Sequence, residues 1–120
     1  IAYAAVSVAE DEAAAREAAR PPVAFIAAGA APPVLKRHGI DPDAASEIGE
    51  RVSAGEFSAA FERVTPGMID AFCMAGTPET VRERAAAVAD HADGLVVGSP
   101  LGPDLENAVD LAAEAVDGLF

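Results

Sequence analysis

From Asp93 to Asp104 the chain reads Asp-Gly-Leu-Val-Val-Gly-Ser-Pro-Leu-Gly-Pro-Asp, and a strand, a tight loop and a helix start follow one another there without a gap. Gly94 to Val97 is short, apolar and partly β-branched, the pattern of a strand buried on both faces of a parallel sheet. Such a strand needs helices to cover it. Gly98, Ser99, Pro100, Leu101, Gly102 and Pro103 then place two glycines and two prolines in six residues, so the chain is expected to turn at the strand's carboxyl end before Asp104 opens a helix. In parallel α/β folds that end of the strand is where ligands bind.

The rest of the chain repeats the alternation of strand and helix. Ile1 to Val8 carries β-branched and aromatic residues and reads as a strand. After it, Glu10, Asp11 and Glu12 open a helix and Arg16 and Arg20 close it, the charge order that the helix dipole favours. Pro21 and Pro22 are expected to stop that helix. Val23 to Ala31 is open between a buried strand and a new helix with Pro22 in its first turn, although its alanines favour helix. Val34 to His38 reads as a short helix closed by Gly39. Asp41-Pro42 and Thr65-Pro66 each pair a capping side chain with a first-turn proline, and Thr77-Pro78 repeats the device. Apolar stripes at helical spacing follow in Phe57 to Val64, Val81 to Ala92 and Leu105 to Leu119. The order predicts parallel strands joined by helical crossovers.

With 120 residues and 52% hydrophobic content, this is expected to be one ordered domain segment, built from alanine and aliphatic side chains because aromatic residues make up only 5%. Two or three strands cannot close a barrel, and a (β/α)8 barrel takes about 250 residues. The expected fold is therefore α/β, the C-terminal portion of a TIM barrel with a helical insertion, spanning 1–120. The start at Ile1, without Met and inside a strand, suggests a piece of a longer chain.

Eight basic residues stand against twenty acidic ones, a net charge of −12. That balance argues against nucleic acid and anionic membranes as partners. Seven of the eight basic residues are Arg and the acids are spread along the chain, as on a salt-adapted cytoplasmic protein or an acidic interaction surface. Cys73 is alone, so no disulfide framework exists, and no apolar run approaches the ~20 residues of a membrane span. A cytoplasmic location is expected.

Few residues announce chemistry. His38 and His91 sit at helix ends and have no second ligand at metal spacing, and Cys73 has the marks of a small core residue. No metal site, P-loop or Ser-His-Asp set is legible. The Gly98 to Gly102 loop carries more weight, because its glycines would admit a ligand and the Ser99 hydroxyl can donate or accept. A rigid turn without a ligand accounts for it equally well. Asp104 and Glu106 disfavour a phosphate on the following helix.

Taken together, Val23-Ala-Phe-Ile-Ala-Ala-Gly29, Pro32-Pro-Val-Leu-Lys-Arg-His-Gly39, Gly76-Thr-Pro78 and Val97-Gly-Ser-Pro-Leu-Gly-Pro-Asp104 resemble the C-terminal part of the methylenetetrahydromethanopterin reductases, which belong to the bacterial-luciferase-like flavin and deazaflavin enzymes. The resemblance covers essentially the whole chain. It implies a TIM barrel, the deazaflavin coenzyme F420, and hydride transfer, without a metal, to the methylene group of a pterin one-carbon carrier of methanopterin or folate type. It implies that Val23 to Ala31 is helical and that the helices between Asp41 and Val64 are an elaboration. It makes Phe25 and Gly29 candidates to line the pocket near the coenzyme ring, and places Gly98, Ser99 and Pro100 at the barrel mouth. Most coenzyme contacts and any catalytic acid would precede Ile1, so the segment alone is expected to be inactive. Two other readings stand beside this one: a non-catalytic fragment or interaction module, or a different flavin-dependent luciferase-like monooxygenase. An open sheet edge beside Ile1 to Val8 would call for a cover, which points to a homo-oligomer.

Overall fold

A computed structural model describes residues 1–120. Its elements are β1 (Ala2–Val8), α1 (Glu12–Gly29), α2 (Pro32–Arg37), α3 (Pro42–Ser53), α4 (Phe57–Glu62), α5 (Pro66–Phe72), β2 (Met74–Gly76), α6 (Pro78–Ala89), β3 (Leu95–Leu101) and α7 (Leu105–Val116). The chain divides into two compact units, one of residues 1–19 with 73–120, the other of residues 20–72.

The first unit holds a three-stranded sheet in the order β2-β1-β3, with every pairing parallel. The parallel pairing of the first and last strands is as expected, and β1 is the central strand. Alternation along β1 sorts its side chains onto two faces. Val6 and Val8 join Met74, the α6 residues Val81 and Ala85, and the α7 residues Ala108, Leu111, Ala112 and Ala115 in one buried cluster. Small alanines let α6 and α7 come close to the sheet and to each other. On the opposite face, Ser7 is fully buried and its hydroxyl donates to the Ala15 carbonyl of α1, so a polar group in the core has its partner.

The second unit is helical. Within it α2 packs on α3 and α3 on α4, over buried Leu35, Ala45, Ile48 and Ala60. Capping chemistry sets most helix starts. The Asp41 carboxylate accepts from the Asp43 N–H at 2.9 Å, and Thr65 Oγ1 accepts from the Met68 N–H at 3.2 Å. In the first unit Thr77 and Asp104 do the same for α6 and α7. Gly39 ends the α2 turn at φ 71°, in the left-handed region open to glycine.

Three expectations need correction. No open edge lies beside Ile1 to Val8, because β2 and β3 pair with β1 on its two sides. Pro21 and Pro22 do not stop α1, which runs unbroken from Glu12 to Gly29. Ala15, Ala19, Val23 and Ala27 recur every fourth residue and are all at most 1% exposed, and burial of that continuous stripe outweighs the backbone hydrogen bonds that the prolines forgo. The last strand does not end at Val97 either. It continues through Gly98, Ser99 and Pro100 to Leu101, because β1 offers pairing as far as Ser7, and an edge strand tolerates proline. The register slips between Ala5 and Ser7 to accommodate it.

Candidate functional site

The carboxyl end of β3 holds three of the five residues singled out for coenzyme binding. Gly98 is buried, Ser99 is exposed and Pro100 is half-buried, joined to Ser99 by a cis peptide bond. The expectation was that glycines here give a ligand room. The room at Gly98 is taken by the protein itself: a Cβ added there would fall on the hydroxyl and ring of Tyr3 across the sheet. At Gly102 an added Cβ would meet the Val8 carbonyl oxygen and stand 2.8 Å from the Ala108 Cβ. Between these two close approaches, Leu101 takes φ 70°, a region a leucine occupies only when its surroundings hold it there.

What this loop offers chemically is a hydroxyl and an apolar surface. The start of α7 is taken by its own cap, since the Asp104 carboxylate accepts from the Asn107 N–H at 3.4 Å and Glu106 adds charge in the first turn. An anionic group is therefore disfavoured on that helix end, and the loop suits the uncharged part of a ligand. No three His, Cys, Asp or Glu side chains are grouped so as to hold a metal ion.

Phe25 and Gly29 lie in the second unit. Phe25 is half exposed and its ring packs against Phe57 and Phe61, each centroid 6.1 Å away. Gly29 is exposed, and a Cβ there would meet nothing within 4 Å. Neither its conformation nor its neighbours call for glycine. Nearby, a shallow depression of about 650 Å³ is lined by Ala28, Ser46, Gly49, Glu50, Ser53 and Ala54.

The remaining candidates have structural settings. His38 is the C-cap of α2, and its ring meets Phe72 edge-on at 5.7 Å. Cys73 is buried, and desolvation raises its thiol pKa from 9.0 to about 11 against the weaker pull of Arg84 and Arg16. That is the reverse of an activated nucleophile. Two residues of the site region escaped the sequence: Tyr3 and Ser7. The one available signal was that Tyr3 is the chain's single tyrosine, set in an alanine-rich strand.

The parallel sheet with its helical cover and the loop at the end of β3 define a parallel α/β unit, and comparison with known proteins says which kind. A model of the luciferase-like monooxygenase family matches residues 1–100, and the chain belongs to that family. Within it, the chain is similar to proteins named 5,10-methylenetetrahydromethanopterin reductase: it is 42% identical over 119 residues to that of Methanolobus tindarius, covering 98% of this chain and 36% of the relative. It is 41% identical over 116 residues to that of Methanopyrus kandleri, covering 96% and 33%. The solved coenzyme F420 dependent tetrahydromethanopterin reductase from Methanopyrus kandleri superposes with a TM-score of 0.90 at 40% identity, over 94% of this chain and 33% of that one. The chain thus spans about a third of the length of these relatives and corresponds to their C-terminal part. Its fold is that portion of the luciferase-like TIM barrel.

Proposed function

We propose that this chain is the C-terminal segment of an oxidoreductase that transfers a hydride from reduced coenzyme F420 to the methylene group of a pterin one-carbon carrier, methylenetetrahydromethanopterin or its folate analogue. The observation that carries the reading is the match in sequence and structure to the coenzyme F420 dependent tetrahydromethanopterin reductase of Methanopyrus kandleri, at 40% identity over 94% of the chain. The chemistry the coenzyme supplies is a hydride. The residues assigned here bind and orient it. Ser99 offers its hydroxyl and Pro100 an apolar rim, while Gly98, seated against Tyr3, backs the two of them. For Phe25 and Gly29 the assignment rests on the family resemblance.

The same reading puts the enzyme in the cytoplasm, without a metal, as a homo-oligomer, with the 120-residue segment inactive alone. No helix is long and apolar enough to cross a membrane.

The test is a titration of the intact gene product with coenzyme F420 and, in parallel, with a flavin mononucleotide. Micromolar or tighter binding of the deazaflavin, weakened at least tenfold by Ser99→Asp, supports the reading. Binding of the flavin alone would transfer the assignment to a flavin-dependent monooxygenase.

A further inference from the structure

Tyr3 stands on the face of β1 away from the α6 and α7 cluster, opposite Val96 in register and two pairs before Gly98, which therefore shares its face. It is 69% exposed, so its ring adds little to the core of this unit. Its phenol nevertheless occupies the space that any side chain at position 98 would need. Gly98 is thereby seated beneath the ring. Four residues on, Gly102 is seated against the Val8 carbonyl and Ala108. The backbone between these two seats has little freedom, and Leu101 at φ 70° is its strained member. Ser99, next to Gly98, is left exposed.

We propose that Tyr3 is a positioning residue for the coenzyme-binding loop: its ring fixes Gly98 and so sets where the Ser99 hydroxyl is presented at the carboxyl end of β3. This rests on the function proposed above and adds to it a residue on a different strand. Tyr3 acts through Gly98, by volume and not by a hydrogen bond.

The experiment is a double-mutant cycle in the intact gene product, read as the dissociation constant for coenzyme F420 on the folded protein, with the thermal midpoint measured separately. Gly98→Ala should weaken coenzyme binding at least tenfold, because the new methyl group meets the ring. Tyr3→Ala should weaken it about threefold to tenfold by freeing the loop, and Tyr3→Phe should restore most of the affinity because the ring is kept. The double variant should bind better than Gly98→Ala alone, since removing the ring makes room for the methyl group. Should Gly98→Ala fail to fold, Tyr3→Ala against Tyr3→Phe decides, because neither introduces a clash. Equal affinity in wild type and Tyr3→Ala, or strictly additive losses, would overturn the proposal while leaving the function intact. A folded wild-type protein that binds no deazaflavin would overturn both.

Discussion

Gly102 and Gly29 are both glycines flagged by the sequence, and the structure gives them opposite burdens. A methyl group on Gly102 would press into the Val8 carbonyl and the Ala108 side chain, backbone and core that cannot swing aside. Gly102→Ala should cost more than about 2 kcal/mol of stability in a denaturant titration. Gly29→Ala, with open space around it, should be neutral or stabilising by up to about 1 kcal/mol; a large loss there would show that a packing constraint exists at that helix end. Cys73 gives a pH-dependent prediction. Its pKa is raised from 9.0 to about 11 by burial, so the folded protein keeps a proton that the unfolded thiol releases. The associated stability is complete below pH 9 and is lost as the pH rises toward 11. The thermal midpoint of the wild type should therefore fall more steeply than that of Cys73→Ala across this window, and parallel curves would contradict the assignment. The core character of Cys73 was legible because nothing nearby in sequence could activate it. The pairing of Tyr3 with Gly98 was not, because it depends on the register of two strands more than ninety residues apart.

At the scale of elements, arginine does much of the work that terminal side chains leave undone. The Arg82 guanidinium, on α6, donates to the carbonyls of Ala115 and Asp117 at 3.0 and 2.8 Å, satisfying the last turn of α7. Arg20 does the same for Phe61 and Val64, at 3.2 and 2.9 Å. Neither α7 nor α4 has a basic residue in its own last turn, so the cation comes from elsewhere in the chain. Arg82→Ala should cost about 1–2 kcal/mol, with Arg82→Lys recovering part of it. An unchanged denaturation midpoint for Arg82→Ala would show that water replaces the guanidinium without loss. The N-terminal caps at Asp41, Thr65, Thr77 and Asp104 could be read from sequence because they join residues two or three apart. The arginine caps could not, since they join residues more than thirty apart. The course of α1 through Pro21 and Pro22 was hidden for a related reason: propensity is local, and the buried stripe that overrides it belongs to the folded chain.

For the molecule as a whole, the parallel sheet followed from the strand-helix alternation, and the family followed from the Gly-Ser-Pro-Leu-Gly-Pro-Asp loop with the Ala-Phe-Ile-Ala-Ala-Gly segment. The placing of β1 at the centre did not, because strand order depends on which edges meet. A net charge of −12 makes the folded state repel itself. Salt should screen that repulsion, while ion pairs such as Arg63 with Glu47, at 3.0 Å and on the surface, have little to lose. The thermal midpoint should thus rise by several degrees from low to molar salt, and a flat or falling midpoint would contradict this. The central claim, hydride transfer from a deazaflavin to a pterin-bound methylene group, is tested most directly by isotope. The intact gene product is supplied with reduced coenzyme F420 carrying deuterium at both positions of its hydride-donating carbon, together with the methylene pterin, and the product methyl group is analysed by mass spectrometry. The account predicts one deuterium in each methyl group formed and one oxidised coenzyme per product. A product methyl group formed without deuterium, or formation of no product by the folded protein, would contradict it.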